Sequence, residues 1–537
     1  MQMTVLICLM AVIIITCVLL NNASLKIGMP VLLAFILLGI VFGNNGLFPV
    51  RFEDYSSAEN ICTVALIFIM FYGGFGTRWE SARCVALPAG LLASLGVFLT
   101  AGLTGVFCHF ALRWGWVESL LMGSVVSSTD AASVFSILRS RKLGLKNSSA
   151  PMLEIESGSN DPCSYMLTII MLSIMTGGGT SFGKVAWMLF SQLAFGAGFG
   201  LLIAKAGIWA LKRIKFPTSG FDSLFILAIA LLSYSIPSLV GGNGYLSAYL
   251  VGIMLGNSEF PGKRNLVSFF DGVTGLMQVL IFFMLGMLAR PAMMHKVILP
   301  ALGIFLFMLL VARPVAVSAI LSPFRRFGFR QQMLVSFVGL RGAASIVFAI
   351  FATVGNSMLQ NDILNVVFCI VLLSISIQGF LLPVVAKKLG QIDEEADVMK
   401  TFNDFSEETD LHFSKIVISS DNPWKGESVK DIGLPRNILF CMLVRPDGTS
   451  VVPRGDTVLH EGDSVIMCTK AFRSDTSFRL VEQEVSKSSS LVGMSIREYS
   501  ESGHNQVVLI KRGSASIIPN GGTILCEGDV MFLNMGS

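Results

Sequence analysis

Apolar runs of membrane-spanning length alternate with short polar loops along most of the chain. They fall at roughly 3–22, 28–44, 61–76, 84–112, 117–138, 150–176, 184–211, 221–240, 244–257, 266–289, 298–321, 331–354 and 363–386. A spanning helix needs about 20 apolar residues, so the pattern predicts a polytopic α-helical membrane protein of about thirteen transmembrane helices. From Gln391 the pattern changes to acids, polar runs and alternating β-branched residues bounded by Gly, Pro and Asp turns, which reads as a soluble α+β region. That region repeats itself: SVVPRGDTVLHEGDSVIM (450–467) matches SIIPNGGTILCEGDVMFL (516–533), and LFCMLVR (439–445) matches QVVLIKR (506–512). Each repeat is expected to hold several strands and one short helix, opened by Gly426 and Gly493 respectively. The expected organisation is a membrane domain over 1–390, a linker over 391–410, and two small modules over 411–475 and 476–537.

Two of the spans echo each other. DAASVF (130–135), in the fifth, resembles GAASIVF (342–348), in the twelfth, with polar or charged residues at mid-span in both. An offset of seven spans places the copies in opposite orientations, the inverted repeat expected of secondary transporters whose sites use broken helices at the midplane.

Composition sets the class: 53% of residues are hydrophobic and 14% charged, which excludes a single soluble globule. The formal charge of +4 matters less than where the cations fall. Lys and Arg cluster after odd-numbered spans, as in Arg139, Arg141, Lys142 and Lys146, which puts the N-terminus outside and the C-terminus in the cytoplasm. The apolar N-terminus lacks a cationic leader and cleavage site and is expected to be a first spanning helix. The ten cysteines show no metal-binding spacing and no disulfide framework, and no residue pattern calls for a cofactor.

Candidate chemistry concentrates in EIESGSNDP (154–162), inside the sixth apolar run, and in SSTDAASVF (127–135) inside the fifth. Ionisable groups at membrane depth are expensive and mark ion or proton pathways. Three carboxylates (Asp130, Glu156 and Asp161) and four hydroxyls or amides (Thr129, Ser157, Ser159 and Asn160) make an oxygen-rich, negatively charged site of the kind a hard alkali cation takes. An ionised carboxylate at that depth is costly until something neutralises it, so proton and cation compete for one site. Asp130 suits either a ligand or a helix cap. Asp222 and Asp271 read as acids at helix starts. Arg313 and Arg341 also lie in apolar runs and demand partners.

SSTDAASVF, EIESGSNDP, NGYLSAYLVGIMLGN (243–257), ARPVAVSAI (312–320) and GLRGAASIVFAI (339–350) resemble the monovalent cation:proton antiporter family, on its branch of bacterial sodium/proton and potassium/proton exchangers. The two C-terminal repeats resemble the ligand-binding TrkA-C (RCK-C) module of potassium transport regulators. The resemblance implies that Asp161 alternately holds a proton or a cation, aided by Thr129, Asp130 and Ser157. It further implies that Glu156 pairs with Arg313, with Asn160 bridging them, and that Arg341 stabilises the unwound twelfth span. It implies electroneutral exchange of K⁺, or alternatively Na⁺, for H⁺ in a bacterial cytoplasmic membrane. A homodimer among membrane lipids is implied too, with a small ligand such as a nucleotide regulating through the tail and no nucleic-acid partner. Tyr72 stands where many relatives carry an acid. A ligand-gated cation channel is the rival reading, although no TVGYG-like filter is present, and an intramembrane enzyme finds no catalytic motif in its support.

Overall fold

The computed structural model describes residues 11–19, 31–43, 54–141, 143–177, 181–214, 220–260, 263–290, 293–354 and 359–393. Beyond these it describes 411–535 except 421, 435–437, 447–448, 471–478, 487–488, 490, 502–505, 513–514 and 518. Residues 394–410 of the expected linker and the flanks of the first expected span therefore lie outside the described residues. The chain forms two compact units, Met1–Ser406 and Glu407–Ser537.

The first unit is helical: α1 (11–19), α2 (Val31–Phe42), α3 (Tyr55–Gly76), α4 (Ala86–Leu112), α5 (Trp116–Val125), α6 (Ala131–Ser140), α7 (Ser149–Met175) and α8 (Phe182–Arg213) come first. Then follow α9 (Phe221–Leu239), α10 (Gly244–Gly256), α11 (Lys263–Leu288), α12 (Met294–Leu321), α13 (Phe329–Phe337), α14 (Ala343–Val354) and α15 (Ile363–Lys388). Among the described residues seven helices are long and apolar enough to cross a membrane, and three shorter ones are equally apolar. Three of the expected spans fall outside that count for physical reasons. The apolar runs 117–138 and 331–354 are each divided into two half-helices, and α7 carries three buried acids. The long helices contain single π-turns at Leu92–Gly96, Met308–Ala312 and Ser374–Gln378, insertions that frequently accompany functional sites.

Small residues let these helices touch. Gly39 on α2 faces Gly286 on α11, and a Cβ added to either would strike the other helix's backbone. Gly252 and Gly256 bring α10 equally close to α3. With no hydrophobic drive between helices in lipid, such close approach is a main source of association.

Two short strands, β1 (Gly144–Leu145) and β2 (Ile392–Asp393), belong to the first unit, and the second contains two four-stranded antiparallel sheets, ordered β3-β6-β4-β5 and β7-β10-β8-β9. The strands are β3 (Leu411–Val417), β4 (Ile438–Val444), β5 (Ser450–Val451), β6 (Ser464–Lys470), β7 (Arg479–Glu484), β8 (Gln506–Arg512), β9 (Ala515–Ile517) and β10 (Val530–Met535). The repeat extends to single bonds. Gly426 and Gly493, both at φ 85, donate to Leu459 and Leu525, and Arg445–Asp463 and Arg512–Asp529 form equivalent ion pairs. One expectation fails: the second repeat has its short helix, α16 (Ile496–Glu501), but among the described residues the first has only a turn at 429–431 at the matching place. Gly433 at φ 62, followed by Pro435 in the sequence, stops a helix there.

Arg512 grips Asp529 with both prongs, Nε to Oδ1 and Nη2 to Oδ2 at 2.8 Å each, and these hydrogen bonds hold the carboxyl below its ordinary value. A lowered folded pKa stabilises above the unfolded value near 4 and the contribution is lost as pH falls through that range. Asp529→Asn should speed hydrogen exchange over β8 and β10 roughly ten-fold at pH 7. The gap from the native chain should persist down to about pH 4 and narrow only below it, as pH falls through the lowered folded value.

Candidate functional site

The two divided spans meet at their breaks. Val126–Asp130 separates α5 from α6, where Ser, Ser, Thr and Asp compete with the helical hydrogen bonds. Val338–Gly342 separates α13 from α14, where Gly339 and Gly342 flank Leu340 and Arg341. The Asp130 N–H donates to the Leu340 carbonyl at 2.8 Å, and the Ser128 and Ser345 hydroxyls lie 3.0 Å apart. A Cβ on Gly342 would collide with the Asp130 carboxylate, so only glycine permits this approach.

Each break has its polar groups satisfied by an identifiable side chain. Asp130 caps α6, accepting from the Ser133 N–H at 3.1 Å and the Ser133 hydroxyl at 2.5 Å. The Arg341 guanidinium donates to the Ser127 and Ser128 carbonyls at 2.9 and 2.5 Å, placing a cation at the carboxyl end of α5. Arg341 thus serves the fifth span's break with its side chain, while its own N–H donates to Ser374 Oγ at 3.0 Å. Ser374 in turn donates to Gln378, which donates to the Phe337 carbonyl at 2.9 Å, closing the end of α13. Both residues belong to the π-turn of α15.

Thr129, Asp130, Ser157 and Asp161 line one cavity of about 280 Å³. Asp161 is 5% exposed, and its Oδ1 has no hydrogen-bond partner among the described residues. Ser157 donates to the Thr129 carbonyl at 2.7 Å, tying α7 to the first break. Asn160 is fully buried and engages Thr129 rather than the ion pair. Its amide donates to Thr129 Oγ1 at 2.6 Å, and its carbonyl accepts from the Thr129 N–H at 3.3 Å. Glu156 and Arg313 pair at 2.7 Å with side chains 1% and 4% exposed, and neither lines the cavity. Arg313 follows the π-turn of α12 and packs against Gly339 at the second break.

The same chamber takes in residues sequence reasoning did not select: Glu154, Tyr72, Asp271, Thr274 and Gln278. Asp271 is not a helix-start acid. It lies in the third turn of α11 and accepts from the Tyr72 hydroxyl at 3.4 Å. Its spacing to Thr274 and Gln278, i, i+3 and i+7, marks one helix face, a signal legible in the sequence. By contrast Asp222 does sit in the first turn of α9. One turn beyond Asp161 on α7 lies an aromatic cluster. Tyr165 meets Tyr245 edge-on with centroids 4.8 Å apart, and Tyr234 lies 4.9 Å from Tyr245. Phe348 and Phe351 back this layer at 5.8 and 6.0 Å from Tyr165. The carboxylate stands between a polar chamber and an aromatic layer.

Divided helices, a buried carboxylate with an unbonded oxygen and an oxygen-lined chamber define a membrane carrier for small cations. The family described as "Sodium/hydrogen exchanger, transmembrane" matches residues 11–388, and the TrkA-C domain matches 413–471 and 480–534. The chain is 34% identical over 456 residues to the K(+)/H(+) antiporter NhaP2 of Shewanella oneidensis, covering 84% of this chain and 78% of that one. It is 32% identical to the K(+)/H(+) antiporter NhaP of Alkalimonas amylolytica over 450 residues, 83% of this chain and 78% of that one. The solved sodium proton antiporter MjNhaP1 from Methanocaldococcus jannaschii superposes with a TM-score of 0.65 at 22% identity, covering 72% of this chain and 99% of that one. The chain belongs to the sodium/hydrogen exchanger family and is a multi-pass cation/proton antiporter with two TrkA-C domains.

Proposed function

We propose that the protein exchanges one K⁺ for one H⁺ by alternating access, with Asp161 holding each in turn. The observation that carries this reading is the buried Asp161 oxygen left without a protein partner among the described residues, facing a chamber also lined by Thr129, Asp130 and Ser157. One carboxylate with one neutralising partner at a time makes the loaded carrier neutral either way, while the empty charged form crosses poorly. Asp130 acts as both cap and cation ligand; Asn160 orients Thr129; Glu156, Arg313 and Arg341 hold the frame. K⁺ is favoured by the potassium antiporters among the relatives and by the potassium-type tail modules. The working topology keeps thirteen spans related by an inverted repeat, the N-terminus outside and the tail in the cytoplasm. Residues 1–390 are the exchanger, 391–410 the linker, and 411–475 and 476–537 modules that bind a small regulatory ligand such as a nucleotide; the carrier works as a homodimer in lipid.

The test is cation-induced dequenching of a ΔpH dye in everted vesicles, comparing K⁺, Na⁺ and Li⁺ across pH. K⁺ should give the strongest response, and dominance by Na⁺ would reverse the ion assignment. Current carried by the cation without a proton gradient would favour the channel reading instead. The one-for-one stoichiometry has its own test: Asn160→Asp adds a second acid beside Asp161, and exchange should become sensitive to membrane potential. Indifference to potential in that variant undoes the stoichiometry.

A further inference from the structure

The chain leaves the membrane unit in a fixed direction. α15 ends at Lys388, and Gly390 turns at φ 66 so that its N–H and that of Gln391 close on the carbonyls of Lys387 and Ala386, both at 3.0 Å. Gln391 is buried. Beyond it the backbone pairs again: β2 (Ile392–Asp393) lies antiparallel to β1 (Gly144–Leu145), with Gly144 opposite Asp393 and Leu145 opposite Ile392. Lys146 N–H extends the ladder to the Gln391 carbonyl at 3.0 Å. Leu145 and Ile392 pack on the apolar cluster that contains Leu138 of α6 and Met152 and Leu153 of α7.

The partner strand occupies a sensitive place. It connects α6, whose first turn Asp130 caps, to α7, which carries Ser157 and Asp161. Between β1 and α7 the chain takes two successive left-handed residues, Asn147 at φ 57 and Ser148 at φ 56, uncommon for residues with side chains. They are held by Gln331 of α13, whose amide donates to the Asn147 carbonyl and to Ser149 Oγ, both at 3.0 Å. The exit of α15, the two helices flanking the ion chamber and the first half of the second divided span therefore share one junction. Asp161 lies about 18 Å along α7 from it, so a small tilt at the junction becomes a displacement at the carboxylate.

We propose that the β1–β2 pair is the coupling by which the carboxy-terminal modules act on the transport site. The segment leading toward those modules begins as a strand paired to the loop between the Asp130 helix and the Asp161 helix. A two-residue ladder is too short to be stable alone, so tension on the following chain can open or shift it. The state of the tail is then transmitted to α7 through this strand pair. This inference rests on the antiport reading above.

The experiment uses the full chain in proteoliposomes. Leu145→Cys with Ile392→Cys places thiols at directly facing positions, where Cβ atoms are about 4.5–5.5 Å apart and a disulfide can close with small adjustment. K⁺/H⁺ exchange is measured before oxidation, after it and after reduction, with the native chain oxidised in parallel to account for its own cysteines. A second variant inserts six Gly/Ser residues between Asp393 and Glu394, slackening the connection while leaving both strands intact. The cross-link should move the pH of half-maximal exchange by about half a unit, roughly a threefold change in apparent proton affinity, and reduction should reverse it. The insertion should also displace the pH profile. An unchanged profile in either variant overturns the coupling, and should the cysteine pair impair folding, the insertion alone decides. A native chain that exchanges no cation would instead defeat the antiport reading.

Discussion

Asp161→Asn should abolish cation-driven proton movement in everted vesicles while leaving a folded, membrane-inserted protein. The substitution is nearly isosteric and touches no protein hydrogen bond of Oδ1, because that atom has none among the described residues. Only the chemistry changes: an amide still offers one oxygen to a cation but neither releases a proton nor neutralises a charge. Without a titratable group at this position the competition on which exchange depends disappears, so the loss should be complete. Thr129→Ala and Ser157→Ala should do less. Each withdraws one hydroxyl, but Ser157 also donates to the Thr129 carbonyl and Thr129 anchors Asn160. A several-fold rise in the cation concentration for half-maximal exchange is expected for either, since a lost hydrogen bond is worth about 1 kcal/mol. Exchange by Asp161→Asn within about ten-fold of the native rate, a deficit of only about 1.4 kcal/mol, would mean that another group carries the proton.

That group would have to be sought in the same chamber, where Asp130, Glu154 and Asp271 are the remaining acids. Asp130 is a poor candidate because both its oxygens are engaged by Ser133 in capping α6. Asp271 is tied to Tyr72, a contact from the third span's helix made in place of the acid that the resemblance led one to look for there.

What could be read from the sequence divides along physical lines. A charged group in an apolar run is conspicuous because lipid makes it costly, so Asp161, Glu156, Arg313 and Arg341 stood out from composition alone. The Glu156–Arg313 pair was expected from the family resemblance and is found, but the other partners were not legible. Asn160 bonds to Thr129, 31 positions away, and the Arg341 guanidinium reaches carbonyls more than 200 positions upstream. Such pairings depend on which helices pack together, and linear spacing carries no record of that. Asp271 was misread because the apolar run starts only at 266, whereas α11 begins at Lys263 and has already made two turns. The β1–β2 pair was missed for want of length: two residues cannot display the alternation by which strands are recognised. Hydropathy reported the runs 117–138 and 331–354 as continuous, because a five-residue break rich in small residues barely lowers a window average; it was the repeated motif and the resemblance that led to broken helices being expected there.

The second large effect should fall on folding rather than on chemistry. Glu156 and Arg313 bring opposite charges together at 2.7 Å in a site that is almost completely closed, outside the ion chamber. Desolvating both ions is expensive, and their mutual attraction offsets that cost only while both are present. Glu156→Gln therefore leaves a buried guanidinium without its counter-ion, and the expected loss is about 3–5 kcal/mol, enough to collapse the yield of folded protein. Replacing both residues with apolar ones of similar size, Glu156→Leu with Arg313→Met, should recover much of that loss, because no buried charge is left unpaired. Arg313 sits against Gly339, so a double variant that regains thermal stability will also test whether this pair shapes the second break. If it does, the recovered protein should still exchange cations poorly. Thermal unfolding of the purified single and double variants, with vesicle exchange measured on both, separates these roles. Equal destabilisation by the single and double replacements would show that packing, not charge pairing, is what Glu156 and Arg313 contribute.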